Sequence, residues 1–268
     1  MKIKSFNEID YNYSRKSILK LLAQTAFDAG SNSAHIGGAL SSVDILTVLF
    51  DYFLNLDKSN IKKSDRNYFI LSKGHACLVY YSVLAHHGFI DVEELKTFEK
   101  DGSSLLGHPV LNANFGIDFS TGSLGNGVGI GVGLALGLKR IKSDSKVYVV
   151  VGDGECNEGS VWEAFMSASH FKLDNITIIV DKNNFQQTGV SSDILNLKSL
   201  SKKIEIFGFK TFDIDGHDPL KLYECFSVKT NDQPKAIIAN TIKGKYLSFA
   251  ENNNQFHHTI LTKSLFEK

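Results

Sequence analysis

The sequence lacks an excess of charge of either sign. Lysine and arginine together number 29, and aspartate and glutamate also number 29. A neutral chain has no overall field that would attract a polyanion or an anionic lipid surface. The composition therefore argues against nucleic acid and membrane partners, and it favours small molecules or another protein.

Cysteine and long apolar runs are also scarce. The three cysteines, Cys77, Cys156 and Cys225, are widely spaced and odd in number, which argues against a disulfide framework and indicates a reducing compartment. Residues 1–16 contain no apolar run typical of a signal peptide, and the glycine-rich run 128–138 is too short to span a bilayer. These absences predict a cytoplasmic protein.

The stretch 146–189 predicts the fold class, because it reads as strand, acidic turn, helix, strand and polar turn. Residues 147–151 and 176–180 are uninterrupted apolar runs, as in buried parallel strands. Apolar residues between them recur at three- and four-residue steps, which predicts a crossover helix. We therefore expect an α/β fold with a mostly parallel central sheet and helices on both faces. The apolar helix positions are Val161, Ala164, Phe165, Ala168 and Phe171.

Polar turns follow the two predicted strands. The first strand ends in a Gly-Asp-Gly turn around Asp153, and the second ends in a turn that contains Asn183. Open α/β sheets bind ligands at this carboxyl edge. A carboxylate, a carboxamide and a backbone carbonyl suit a hard divalent cation, most naturally Mg²⁺, that keeps positions open for phosphate oxygens. Gly152 and Gly154 allow close approach, and the helix that follows favours a diphosphate at its positive end.

Three histidines, His35, His75 and His108, lie in short segments flanked by small residues. Each alone is weak evidence, but together they predict a site assembled from several loops. His86 and His87 stand at the end of a predicted helix, and we interpret them as surface residues that face the helix dipole.

Two patterns predict features of helices. Ser41 with Asp44 is typical of a capping box that begins a helix running through residue 53. A second pattern is a set of glycines every four residues, which on a helix form one smooth stripe that favours close helix packing or a subunit interface. These glycines are Gly125, Gly129, Gly133 and Gly137.

The Gly-Asp-Gly turn, the asparagine some thirty residues later, the three histidine loops and the glycine segment resemble the corresponding segments of transketolases, in this order. The resemblance covers about residues 15–189, with weaker points beyond. It implies thiamin diphosphate (ThDP) as cofactor and Mg²⁺, or Ca²⁺ or Mn²⁺ in its place, held by Asp153, Asn183 and the carbonyl of Phe185. The catalytic residues that it implies are His35, His75, His108 and His257. The other cofactor contacts that it implies are His75, Gly122, Leu124, Gly154, Glu158, Gln187, Lys243 and His257.

The sequence departs from the transketolase pattern at a few positions. Ala34 replaces a usual glycine, Ser123 replaces a frequent proline, and His258 follows His257 where the family has glycine. The family's catalytic glutamate belongs to a second, pyrimidine-binding module that this chain does not contain. The sequence is therefore similar to the N-terminal subunit of a split transketolase, a single diphosphate-binding domain over residues 1–268 with a polar tail, 251–268.

This resemblance implies transfer of a two-carbon ketol unit from a ketose phosphate to an aldose. It also implies a second subunit with the pyrimidine-binding and C-terminal modules, and an α2β2 heterotetramer that self-associates through the diphosphate-binding module. Four alternatives remain open from the sequence. They are the α-subunit of a 2-oxo acid dehydrogenase or decarboxylase, a non-catalytic ThDP-binding protein, deoxyxylulose-phosphate-synthase-like chemistry, and a transketolase-like enzyme with a non-standard acceptor.

Overall fold

A computed structural model describes residues 4–268 of the chain. The strands in this range are β1 Tyr68–Leu71, β2 Val147–Gly152, β3 Ile176–Lys182, β4 Lys210–Asp215 and β5 Lys235–Asn240. These five described strands form one sheet in the order β1-β2-β3-β5-β4, and every neighbouring pair is parallel. Parallel pairing fits the connections, because each strand returns to the sheet through helical or loop crossovers.

Helices precede and link the strands. A π-helical turn, Leu49–Phe53, follows the third helix directly. The helices are α1 Glu8–Asp28, α2 Ile36–Leu40, α3 Val43–Val48, α4 Cys77–His86, α5 Val92–Leu95, α6 Asn126–Arg140, α7 Gly159–His170, α8 Ser191–Ile194, α9 Leu200–Ile206, α10 Pro219–Ser227 and α11 Lys263–Phe266.

The sheet divides the apolar core into two layers. Successive side chains of a strand point to opposite faces, so Tyr148 and Val150 pack with α1, α3, α4 and α10, whereas Val147, Val149 and Val151 pack with α6, α7 and α9. Strands β1, β2, β3 and β5 are buried on both faces, which is why each contains an apolar run, whereas the edge strand β4 is partly exposed and more polar. The predicted α/β class, with a parallel sheet covered on both faces, is confirmed.

Helix α6 contacts the sheet through glycines other than those of the predicted stripe. A Cβ atom at Gly131 would lie 2.5 Å from the Val149 Cγ2 atom, so this position needs glycine for the helix to approach the strand. By contrast, Gly129, Gly133 and Gly137 are exposed, and a Cβ atom there would meet nothing within 4 Å. Gly125, the fourth glycine of the predicted stripe, is buried just before α6, where a Cβ atom would collide with the Ser160 Oγ atom. The other three glycines have no packing role within this chain, and their role as a subunit interface stays a prediction.

The predicted capping box at Ser41 and Asp44 is wrong. Helix α2 ends just before Ser41, α3 begins at Val43, and both polar side chains are fully buried. The Asp44 carboxylate instead accepts hydrogen bonds from Tyr11, Tyr246 and His217. A buried carboxylate needs such donors, and these come from segments far apart in the sequence.

The segment after residue 251 packs against the rest of the chain. Thr259 pairs with Ala34 through two backbone hydrogen bonds of 3.0 Å each, and Leu261 is buried. Phe266 in α11 stacks on Phe27 of α1, with ring centroids 4.6 Å apart. These contacts bring the C-terminal histidines back towards the loop that carries His35.

None of the helices in the described part of the chain has the length and apolar character needed to cross a bilayer. All three cysteines are buried and free of disulfide bonds.

Candidate active site

The carboxyl edge of the sheet brings the two predicted polar turns together. Gly152 at the end of β2 pairs with Asp181 in β3, and the backbone N–H of Asp153 donates to the Asp181 carbonyl at 3.2 Å. Asp153 and Asn183 are both 6% exposed. The crossover helix α7 makes the two strands neighbours, which is why turns thirty residues apart meet at one point.

Asp153 is a buried carboxylate at this edge. The hydroxyl of Ser191 donates to its Oδ2 atom at 2.8 Å. Burial raises the pKa of this carboxyl to about 6, because removal from water disfavours the charged form. A cation beside the carboxylate would favour the charged form again. The environment of Asp153 is therefore suited to a metal ligand.

Asn183 is held in place by its own turn. Its Oδ1 atom accepts from the backbone N–H of Phe185 at 3.0 Å, and its Nδ2 atom donates to the Ser41 hydroxyl at 3.3 Å. Asn184, between them, has a φ of 64°, which lets the chain reverse sharply. The turn thus fixes the Asn183 side chain and the Phe185 backbone at the same edge of the sheet as Asp153.

Two buried polar atoms at this edge lack a hydrogen-bond partner within residues 4–268, which bears on whether the residues fit a diphosphate with a divalent cation. The Gln186 Nε2 atom and the Asn157 Oδ1 atom are buried, and neither has a hydrogen-bond partner among the described residues. Leaving such atoms unpaired is costly, and phosphate oxygens and metal-bound water would satisfy both. Gly154 lies beside Gln186, because a Cβ atom at Gly154 would be 2.7 Å from its Cγ atom. Gln186, Asn157 and Gly154 therefore fit a bound diphosphate with a divalent cation.

Lys243 supplies positive charge next to the same turn. Its side chain is 1% exposed, and its ammonium donates to the Gln186 carbonyl at 3.1 Å and the Asn254 Oδ1 atom at 2.6 Å. The ammonium also lies 3.0 Å from the Nδ1 atom of His257. Burial, followed by the nearby charge of Lys73, lowers the pKa of Lys243 to about 8. An anionic ligand would stabilise the charged ammonium, so the position is suited to a diphosphate.

Five imidazole rings meet above this edge, and His35 lies among them. The centroid of the His35 ring is 5.5 Å from that of His75, 6.0 Å from His108, 5.4 Å from His257 and 4.3 Å from His258. Four of these histidines are the predicted catalytic residues, which come from four separate segments. His258 is the fifth, and no role was predicted for it.

The pKa values of the partly buried imidazoles are lowered, which keeps the rings neutral. Burial lowers the pKa of His35 to about 3 and that of His257 to about 4, and in both cases neighbouring histidine and lysine side chains lower it further. The pKa of His75 is well below its usual value, again because of burial first and Lys73 second. A neutral imidazole can both donate and accept a hydrogen bond, so these rings can bind substrate hydroxyls and move protons.

The other predicted cofactor contacts differ in exposure. Gly122 has a φ of 146°, and a Cβ atom there would lie 2.9 Å from the His108 Cδ2 atom, so it requires glycine. Leu124 is 38% exposed. Glu158 is exposed at the start of α7, and Gln187 is exposed with its carbonyl accepting from Asn254. Leu124, Glu158 and Gln187 are therefore exposed on the surface of this chain.

Sequence reasoning missed two buried carboxylates beneath the site. Asp181 is fully buried and forms an ion pair with Lys73, and it also accepts from the hydroxyls of Ser41, Ser42 and Thr241. Glu155 accepts from the backbone N–H groups of Gly125 and Gly152 at 2.8 and 3.1 Å. The available signal was a charged residue close to the carboxyl end of an apolar run: Lys73 lies two residues after β1, and Asp181 directly follows the run 176–180.

Comparison with known proteins agrees with this geometry. The family profile described as the transketolase thiamine diphosphate binding domain matches residues 14–265. The chain belongs to the transketolase family.

Relatives within this family include proteins of similar length. The chain is 41% identical over 227 residues to one subunit of the apulose-4-phosphate transketolase of Actinobacillus succinogenes, covering 84% of this chain and 82% of that relative. It is 33% identical over 265 residues to a 6-deoxy-6-sulfo-D-fructose transketolase subunit of a Clostridium species, covering 98% of this chain and 96% of that one.

Single-chain transketolases are much longer. The transketolase of Campylobacter jejuni superposes with a TM-score of 0.89 and 30% identity, over 97% of this chain but 42% of its own. Human transketolase is 36% identical over 255 residues, which is 40% of its length. The chain thus spans less than half of these single-chain transketolases.

Proposed function

We propose that this chain is the ThDP-binding subunit of a split transketolase. The enzyme transfers a two-carbon ketol unit from a ketose phosphate donor to an aldose acceptor. The observation that carries the proposal is the position of the histidine cluster directly beside the metal and diphosphate edge, with Lys243 in contact with both. The similar length of relatives named as subunits supports a split enzyme.

Asp153, Asn183 and the Phe185 carbonyl hold Mg²⁺ in this proposal, and Ca²⁺ or Mn²⁺ can replace it. Gln186, Asn157 and Lys243 offer polar groups to the diphosphate and its hydration. When bound, the cofactor supplies the thiazolium carbon that receives the ketol unit. The protein holds that group at the sheet edge, where the histidines can reach the substrate.

The neutral histidines bind and orient the substrate. His108 is exposed, so its ring can bind donor hydroxyls from the open side of the cluster. His35 and His75 are partly buried, and the Nδ1 atom of His257 lies 3.0 Å from the Lys243 ammonium, so in this proposal these three rings hold or move a proton at the donor's C2 oxygen. His108→Ala should therefore weaken donor use, whereas His75→Ala should slow the catalytic step.

A second subunit completes the site. It carries the pyrimidine-binding and C-terminal modules, and it covers the exposed side chains of Leu124, Glu158 and Gln187. Two copies of this chain associate through the exposed glycines of α6, Gly129, Gly133 and Gly137, to give an α2β2 heterotetramer. The free, buried cysteines support a reducing compartment, so we propose the cytoplasm as its location.

A specialised ketose donor is the second candidate substrate. Two relatives of nearly the same length are named for apulose 4-phosphate and 6-deoxy-6-sulfo-D-fructose, which are different ketoses. The shared scaffold therefore supports different sugars in related proteins. An assay with a panel of ketoses and ketose phosphates, and with several aldoses, would identify the pair used here.

The test compares the chain alone with the chain co-expressed with its partner. We expect weak ThDP binding and no turnover from the isolated chain, and ketol transfer from the complex. Asp153→Ala and Asn183→Ala should each abolish Mg²⁺-dependent ThDP binding measured by calorimetry, with circular dichroism unchanged. Full ketol transfer by the isolated chain would refute the split enzyme, and unchanged ThDP affinity in both variants would refute the metal site.

A further inference from the structure

A group of side chains of the types that bind metal ions lies away from the histidine cluster. Asp51, His86 and His87 each offer one ligand atom, and these three atoms lie within 4.8 Å of one another. Helix α4 begins just after His75 and ends at His86, so its ten residues separate the two sites by about 15 Å. The group is therefore not part of the cofactor site.

We propose that Asp51, His86 and His87 bind one transition-metal ion of the zinc type. Two imidazole nitrogens and a carboxylate are a ligand set that Zn²⁺ prefers, and water would complete a tetrahedral shell. Mg²⁺ prefers all-oxygen ligands, so this site and the Asp153 site select different metals.

The distance between two of the ligand atoms supports a shared ion. The His87 Nε2 atom lies 3.3 Å from the Asp51 Oδ1 atom. Two ligands that are about 2.0–2.1 Å from a tetrahedral ion lie about 3.3 Å apart. The two side chains are therefore spaced as they would be around one ion.

Asp51 and His87 each have a side-chain atom that forms no hydrogen bond within the described part of the chain. The His87 Nε2 atom and the Asp51 Oδ2 atom are both buried, and neither has a hydrogen-bond partner among residues 4–268. A buried polar atom without a partner is costly, and a metal ion would remove that cost for both residues. His86 differs, because its Nδ1 atom lies 3.0 Å from the Ser17 hydroxyl, which fixes the orientation of its ring.

The local backbone is also unusual at Asp51. This residue lies in the π-helical turn Leu49–Phe53, which directly continues α3. Single π-helical turns are rare and often occur at functional sites, because they re-aim side chains. The two histidines are not the exposed, dipole-facing residues that the sequence indicated, since both are partly buried against this turn. An ion here would join the end of α4 to the π-helical turn.

The test is a Zn²⁺ titration of the chelator-treated, full-length chain by calorimetry, in millimolar Mg²⁺. We expect one tight equivalent that Asp51→Asn and His87→Gln each weaken at least a hundredfold. His170→Gln is the matched control, because His170 ends α7 as His86 ends α4, and it should bind Zn²⁺ as the unmodified chain does. A hundredfold excess of Zn²⁺ over its dissociation constant should raise the thermal midpoint by about 5 °C.

Equal Zn²⁺ affinity and stoichiometry in the unmodified chain and the Asp51→Asn variant would overturn the proposal. Unchanged ThDP binding by the variants shows that they fold. Should either variant fail to fold, anomalous scattering at the zinc edge from crystals of the unmodified chain decides the question. A peak between Asp51 and His87 supports the site, and a peak only among the rings around His35 refutes it.

Discussion

His258 packs against His35, with ring centroids 4.3 Å apart, and its Nε2 atom lies 2.9 Å from the Ser33 hydroxyl oxygen. The resemblance to transketolases implies a glycine at this position, so His258 is a polar side chain that the family pattern lacks. We therefore expect His258 to narrow the site beside His35 and to form a further hydrogen bond with the sugar.

We expect His258→Gly to raise the KM for the donor about tenfold, the cost of one lost hydrogen bond, without changing ThDP affinity. Steady-state kinetics of the complex with the partner subunit would measure this. His258→Gln keeps a polar contact to Ser33 and should have a smaller effect. Identical kinetics for His258→Gly and the unmodified enzyme would show that the ring does not contact the substrate.

Lys243→Met should weaken ThDP binding about 10–100-fold. The methionine side chain is of similar length but removes the buried ammonium, and hydrogen bonds to charged groups contribute about 1.5–3 kcal/mol. Calorimetric titration of ThDP in saturating Mg²⁺ measures the loss. Lys245→Met is the control, because the partly exposed Lys245 pairs with Glu251 at 3.5 Å, and this variant should bind ThDP normally.

Asp181→Asn should destabilise the fold by about 3–5 kcal/mol, because it leaves the buried ammonium of Lys73 without its counter-charge. Urea unfolding measures the change. Asp174→Asn removes a similar pair with Lys139, whose side chains are 33% and 34% exposed, and should cost at most about 1 kcal/mol. Equal losses in the two variants would contradict a special role for the buried pair.

Gly131→Ala and Gly133→Ala should have opposite effects on the isolated chain. The added methyl group at Gly131 meets Val149 and should destabilise the chain by about 1–3 kcal/mol. At Gly133 it meets nothing and should stabilise α6 by up to about 1 kcal/mol. Sedimentation then tests the interface: Gly133→Ala should weaken self-association, and unchanged association would place the interface elsewhere.

Stability should fall as the pH is lowered from about 6.5 to about 4. The unfolded chain binds protons on His35 and His257 near pH 6.5, whereas in the folded chain burial holds their pKa values at about 3 and about 4. Lowering the pH therefore favours the unfolded state. Urea unfolding of a His35→Gln/His257→Gln variant at several pH values should show a smaller loss over this range. A slope equal to that of the unmodified chain would contradict the buried, neutral state of these rings.

Local patterns in the sequence were enough to predict the parallel sheet and the residues at its edge. Buried parallel strands require uninterrupted apolar runs such as 147–151, and a crossover helix requires apolar residues at helical spacing. Because parallel neighbours end at one edge, the positions of Asp153 and Asn183 along the chain already implied that they would meet. The resemblance to transketolases then indicated further site residues, and the fold brings the rings of His35, His75, His108 and His257 together.

Only the tertiary structure determined which buried polar side chains pair with one another. Ser41 and Asp44 had the spacing of a capping box, but burial directed their side chains to donors and acceptors on distant segments. The Lys73–Asp181 pair, the contact of His258 with His35, and the approach of Asp51 to His86 and His87 likewise join residues that no local pattern relates. Burial makes an unpaired polar group costly, and only the folded chain determines which partner is within reach.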